Sequence, residues 1–258
     1  MKLIPLDFAD LVSAIALIGV AIGLSAWERL GLELRLLNVT CRTILQLTVL
    51  GYIFDFIFKQ NNPIAVLAIL AVLLMISAII ARNRIDKRIA KMLPLVGGAM
   101  LISTAITVVY VNFLIIQPEP WFQPQYIVPL SGIILANAMN AGAVSGERFL
   151  KSINSSHLEI ETHLSLGATP QQAVKQYRQD AIRVGLIPTI NQMTLIGMVT
   201  LPAIFSGQLL SGIDPDEAAS YQILIMIAIA FANLVTTILV TKGICRISFN
   251  SASALVKH

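Results

Sequence analysis

Charge is what this sequence has least of. The 18 Lys+Arg and 14 Asp+Glu make up 12% of its 258 residues, about half of the ~25% found in an ordinary soluble domain. With 56% of residues apolar and a mean hydropathy of +0.79, too few charges remain to cover a soluble fold of this length, and a disordered tail is excluded too. Cysteine is nearly absent: Cys41 and Cys245 cannot build a disulfide framework or a metal cluster. No Gly-x-x-x-x-Gly-Lys-Ser/Thr phosphate loop occurs, so the chain lacks the usual means of binding and hydrolysing ATP. No His/Glu/Asp cluster of hydrolytic spacing and no Ser–His pair on one face is found, which leaves a membrane-embedded enzyme without a catalytic constellation. Internal repeats and low-complexity runs are missing as well. An ion-coupled secondary transporter would normally show an inverted repeat and paired broken helices.

What is present is apolar length. Seven stretches, roughly 8–26, 39–58, 63–81, 93–116, 126–144, 184–210 and 220–241, reach or approach the ~20 residues a crossing needs. The expected fold is all-α: a polytopic membrane protein of about seven transmembrane helices in one domain spanning 1–258. The first stretch is not read as a signal peptide. Asp7 and Asp10 stand where a basic segment belongs, and Leu24 stands where a small residue precedes cleavage.

The basic residues give the orientation. With the N-terminus outside, all eighteen except Lys2 and Lys59 fall on the inner side, the lopsided pattern of the positive-inside rule. The acidic residues split evenly and carry no such signal. Seven helices, N-terminus out and C-terminus in, then place the chain in the cell membrane with both cysteines toward the cytoplasm, where thiols stay reduced. The net charge of +4 reflects this bias, and no nucleic-acid partner is expected. Trp121 and Phe122, in a proline-rich outer loop at 117–125, suit the outer interface.

The longest non-spanning segment, about 145–183, falls on the cytoplasmic side. Ser155 or Ser156 can cap a short helix that runs through Leu166 and ends at Gly167. Thr169, Pro170 and Gln172 then open a second helix, with Thr169 at the N-cap, proline at the first helical position and Gln172 completing a capping box. On it Val174, Tyr177 and Ala181 form an apolar stripe among Lys175, Arg178 and Gln179. Such a helix–turn–helix either lies on lipid headgroups or docks on a partner.

The residues favour docking. Glu161-Thr162-His163-Leu164-Ser165-Leu166-Gly167 resembles the EAA loop of ABC-transporter permeases, although Thr162 and His163 replace the usual alanines and Gln179-Asp180 stand where many importers have Leu-Pro. A longer likeness narrows the family. Arg42-Thr43-Ile44-Leu45-Gln46-Leu47, Pro129 to Met139, Ser165 to Thr169 and Leu195 to Leu210 are similar to the Fet-type iron-export permeases, and the likeness covers about residues 10–245. It implies a helix–Gly–helix coupling loop seated on a separate ABC ATPase subunit that binds the ATP and Mg, a homodimer of permeases in the bilayer, and no cofactor on this chain. Glu161, Leu164, Leu166, Gly167, Thr169, Pro170, Val174 and Arg178 would make the coupling surface, the leucines and Val174 as an apolar knob and the two charges at its rim. The implied cargo is iron, another metal or a small solute. Related plant proteins are linked to aluminium tolerance and to a proposed nucleotide-sugar substrate. Ala203, Ile204, Phe205 and Ser206 replace the family's usual Gly-Met-Met-Thr, which removes two thioethers.

Polar groups at bilayer depth are expensive and usually face protein or water. Arg42 and Gln46 are four residues apart on the second helix, Asn137 and Asn140 share a face of the fifth, and Asn191, Gln192 and Thr194 are expected to open the sixth. They either bond between helices or line a pathway between protomers. Pro202 should kink the sixth helix and release the Met198 carbonyl, with Gly207 and Gln208 one turn beyond. Met139, Met193, Met198 and Met226 offer soft sulfur but also serve as core filler. Asp214, Asp216 and Glu217 are read either as a weak hard-cation site or as the cap of the last helix.

Overall fold

A computed structural model describes residues 8–60 and 62–249, and every regular element in them is helical. Helices α1 (Phe8–Trp27) and α2 (Glu33–Gln60) form a hairpin. Its turn uses left-handed backbone at Arg29 and Gly31, and Ser25 locks it by donating to Glu33 Oε1 at 2.9 Å and accepting from the Leu32 N–H. Asn62 caps α3 (Pro63–Ile85) by accepting from the Ile64 N–H, with Pro63 where its missing N–H costs nothing. Helix α4 (Met92–Tyr110) runs into a π-helical turn, Val111–Ile116, which Gln117 closes in left-handed conformation. Helix α5 (Pro124–Ser155) extends a full three turns beyond the expected crossing. Then follow α6 (His157–Ser165), α7 (Pro170–Ala173), α8 (Lys175–Leu195), α9 (Ala203–Leu210) and α10 (Pro215–Ser248).

Helices α5 and α10 pack on one another at the centre, with α3, α4 and α8 around them; α2 touches this bundle at α5, and α9 rests on α10. Lipid tails are as apolar as leucine, so small residues and interhelical hydrogen bonds must hold such a bundle together. Both are in place. An ideal Cβ on Gly185 of α8 would sit 2.8 Å from Ser145 Cβ and 2.9 Å from the Ala141 carbonyl oxygen on α5, so only glycine allows this approach. Ser103 and Thr236 hydroxyls meet at 2.6 Å between α4 and α10, and the Asn233 amide donates to Thr189 Oγ1 at 2.7 Å between α10 and α8.

Among the described residues five helices are long and apolar enough to cross a membrane alone: α2, α3, α4 with its π turn, α5 and α10. The apolar part of α1, Val12–Trp27, is shorter. The expected crossing at 184–210 is not one helix. Helix α8 stops at Leu195, Gly197 takes a left-handed turn (φ +78°), and α9 starts only at Ala203. The protein is thus an all-α membrane protein with five long apolar helices and several shorter ones.

Candidate functional site

The loop between α5 and α8 lies at the end of the bundle that gathers most of the basic residues. Ser156 stands at the N-cap position of α6 but makes no side-chain capping bond, which corrects the expected serine cap, and Gly167 follows the helix with φ +89°. The capping box is complete: Thr169 Oγ1 accepts from the Gln172 N–H, and Gln172 Oε1 accepts from the Thr169 N–H at 2.8 Å, with Pro170 at the first helical position. Leu166, 81% exposed, stands out at the tip. Leu164 is only partly exposed and leans on the core, while Val174, expected on the knob, is fully buried with Ile160 and Ala181. The apolar stripe of α8 therefore seats the loop on its own bundle, which corrects Val174's place on an exposed knob. Arg178 is half-buried rather than at the rim. Glu161 faces His157 at 3.4 Å. Behind the turn, a recess of about 510 Å³ is lined by Glu159, His163, Lys175, Tyr177, Asp180 and Arg183 among others. There the Tyr177 hydroxyl donates to Glu159 Oε2 at 2.6 Å, which pushes the phenol above its usual pKa.

The second region is the interruption between α8 and α9. Asn191, Gln192 and Thr194 close α8 instead of opening a helix, and all three are exposed. Pro202 is extended and immediately precedes α9. The expected proline kink with a released Met198 carbonyl is therefore replaced by an outright break, in which the Val199 and Thr200 N–H groups both turn back to the Leu195 carbonyl. Met198 projects outward. Beneath the break a cavity of about 370 Å³ is lined by Met193, Pro202, Phe205, Gln222 and Met226 among others, and Gln222 Oε1 is buried there without a partner. Two of the four methionines thus share one cavity, whereas Met139 packs on the core. Next to α9 a further cavity of about 440 Å³ has mostly apolar walls, with Gln125, Tyr126, Gln208, Glu217 and Tyr221 as its polar lining and Gln208 Oε1 also unpartnered. Asp214 caps α10 by accepting from the Asp216 N–H. Among the described residues no three His, Cys, Asp or Glu converge on a metal position.

The remaining polar positions separate. Asn137 donates to the Ile133 carbonyl of its own helix, while Asn140 accepts from Arg84 Nη1 on α3 at 2.9 Å. On α2 every residue from Cys41 to Val49 is exposed, Arg42 and Gln46 included, and Gln46 stands at the middle of the helix. The sequence reading missed Asn233, Thr236, Thr237 and Thr241, all buried on α10. Their spacing of three, four and eight residues already puts them on one helical face.

Residues 8–249 match the UPF0014 family, described as an uncharacterised protein family. The chain is 46% identical to the UPF0014 membrane protein slr1647 of Synechocystis over 98% of both chains. It is 33% identical to the probable iron export permease protein FetB of Escherichia coli, over 96% of this chain and 94% of that one. It is also 31% identical to the protein ALUMINUM SENSITIVE 3 of Arabidopsis thaliana, over 95% and 89%. No solved structure matches. A helical bundle built around α5 and α10, with a break between α8 and α9 and a capped loop at one end, is thus the form taken here by a member of the UPF0014 family of membrane proteins.

Proposed function

We propose that this chain is the membrane-spanning permease subunit of an ABC transporter, working as a homodimer with a separate ATPase subunit that binds ATP and Mg. The observation that carries the reading is the α6–Gly167–α7 turn. A helix lying on lipid needs apolar area and basic charge but no left-handed glycine and no capping box. Those features present a rigid corner to a protein groove. The basic bias puts that corner in the cytoplasm, with the N-terminus outside; α1 supplies a sixth crossing, and α8 with α9 a seventh.

The homodimer is supported by what one copy leaves uncovered. Arg42 and Gln46 on α2 and residues 197–201 of the non-helical segment are exposed, and neither charge nor irregular backbone is tolerated against hydrocarbon. A second copy that covers both completes a polar pathway including Asn191, Gln192 and Gln208. The cargo is a metal ion, iron by analogy with the probable iron export permease, or a small solute, and the direction is export. Glu217 is the one charged residue lining the cavity beside α9, which has no Lys or Arg; that favours a cation over an anionic nucleotide sugar.

A pull-down of the tagged chain from solubilised membranes tests the reading. A stoichiometric ATPase subunit is expected. Recovery of the chain alone, under conditions that preserve other ABC complexes, would favour an ion-coupled transporter.

A further inference from the structure

Away from the α8–α9 break, a cavity of about 320 Å³ lies between α3, α4 and α5. Twelve of its fifteen lining residues are apolar or aromatic, Trp121 among them. The other three, Thr104, Asn112 and Ser131, are 8%, 1% and 2% exposed. Thr104 Oγ1, Asn112 Oδ1 and Ser131 Oγ are all buried with no hydrogen-bond partner. Orphaned polar atoms are rare in folded proteins and call for an explanation one by one; three on the wall of one cavity call for a shared one.

The backbone is adapted to this arrangement. Asn112 belongs to the π-helical turn that ends α4, a geometry that recurs at functional positions. Its amide is held by donation to the Trp121 carbonyl at 2.7 Å, which leaves its oxygen as an acceptor. Leu67, Leu101, Val109 and Phe113 are about half exposed, so the cavity opens sideways between α3 and α4 toward the lipid.

Water alone does not suit this space. A volume of 320 Å³ has room for many waters, since one needs only about 10–15 Å³ of such space, and each needs two to four polar partners. Three polar atoms satisfy one or two waters. We infer that the cavity binds one membrane-dissolved amphiphile: an apolar body carrying a hydroxyl, whose hydrogen goes to Asn112 Oδ1 and whose oxygen accepts from Ser131 or Thr104. A site with buried polar groups discriminates against an analogue that cannot pair them.

Trp121 reports on occupancy directly, because bromine in contact with an indole quenches its fluorescence. In the full chain carrying Trp27→Phe, Trp121 is the sole tryptophan. The purified protein in detergent is titrated with 6-bromohexan-1-ol and, separately, with 1-bromohexane. The alcohol should quench Trp121 saturably, while the bromoalkane should show only the linear quenching of micelle partition, or half-saturation at least tenfold higher. Ser131→Ala and Thr104→Val should each raise the half-saturation concentration for the alcohol about threefold to tenfold. Ala105→Leu, which fills the cavity from α4, should abolish the saturable phase and leave the linear one. Equal quenching by the two probes, no saturable phase in the parent protein, or half-saturation unchanged by all three substitutions would overturn the inference.

Discussion

Nothing lies within 4 Å of where a Cβ would stand on Gly167, yet its φ is +89°. A side chain there meets no clash and costs only backbone energy, about 1–2 kcal/mol for an L-residue in left-handed conformation and more for a β-branched one. Gly167→Val is therefore expected to reorient the Leu166 tip and weaken ATPase binding at least tenfold, while Gly167→Asn, which enters that region readily, stays near wild type. Titration of the ATPase against each purified variant checks this, and equal affinities would remove Gly167 from the coupling surface. Inside the bundle, Asn233→Leu should cost about 0.6 kcal/mol, and no more than ~1.7, for its bond to Thr189. Thr189→Val should cost a similar amount, and the double variant less than the sum, as read by unfolding in mixed micelles. At this scale the sequence was informative wherever the chemistry is local. The Thr169–Gln172 box and the Gly167 turn depend on neighbours within a few positions and were legible. The spacing of Val174, Tyr177 and Ala181 marks one apolar stripe, but no sequence pattern says whether a stripe meets its own bundle or another protein.

Helix α8 is held against α5 where Gly185 meets Ser145 and Ala141. Gly185→Leu should push the two apart at an overpacking cost on the order of 1–3 kcal/mol, visible as a lowered melting temperature, and an unchanged one would contradict the close approach. On α2, where 41–49 is uncovered, Arg42→Leu and Gln46→Leu should each lower transport while expression holds. If both variants transport like wild type, the pair is structural at most. Long apolar helices were legible because hydropathy integrates over ~20 residues, and α3, α4 and α10 start within about five residues of their expected positions. The same averaging hid the α8–α9 break, since residues 195–202 stay apolar through the turn. Gly197 and Pro202, five positions apart, were the available signal, but a left-handed glycine is invisible to hydropathy. Asn191 and Gln192 consequently end a helix they were expected to begin.

For the molecule as a whole, orientation and assembly decide the reading. In a background without Cys41 and Cys245, Gln123→Cys should react with an impermeant thiol reagent applied to intact cells, and Asp86→Cys should not; the reverse pattern would invert the topology. Cys41 is exposed and Cys245 buried; with both removed, label in either orientation comes only from the introduced cysteine. The uncovered polar stretch of α2 and the open break between α8 and α9 make a single copy a poor solute for a bilayer. The proposed second copy would cover both. The most direct measurement is ATP hydrolysis by the purified ATPase subunit in proteoliposomes, with and without this chain, together with movement of the metal. The permease is expected to raise hydrolysis several-fold and couple it to metal transport, and Gly167→Val to abolish both effects while remaining in the membrane. Hydrolysis and transport unaffected by Gly167→Val, or hydrolysis indifferent to the permease, would contradict the proposed function.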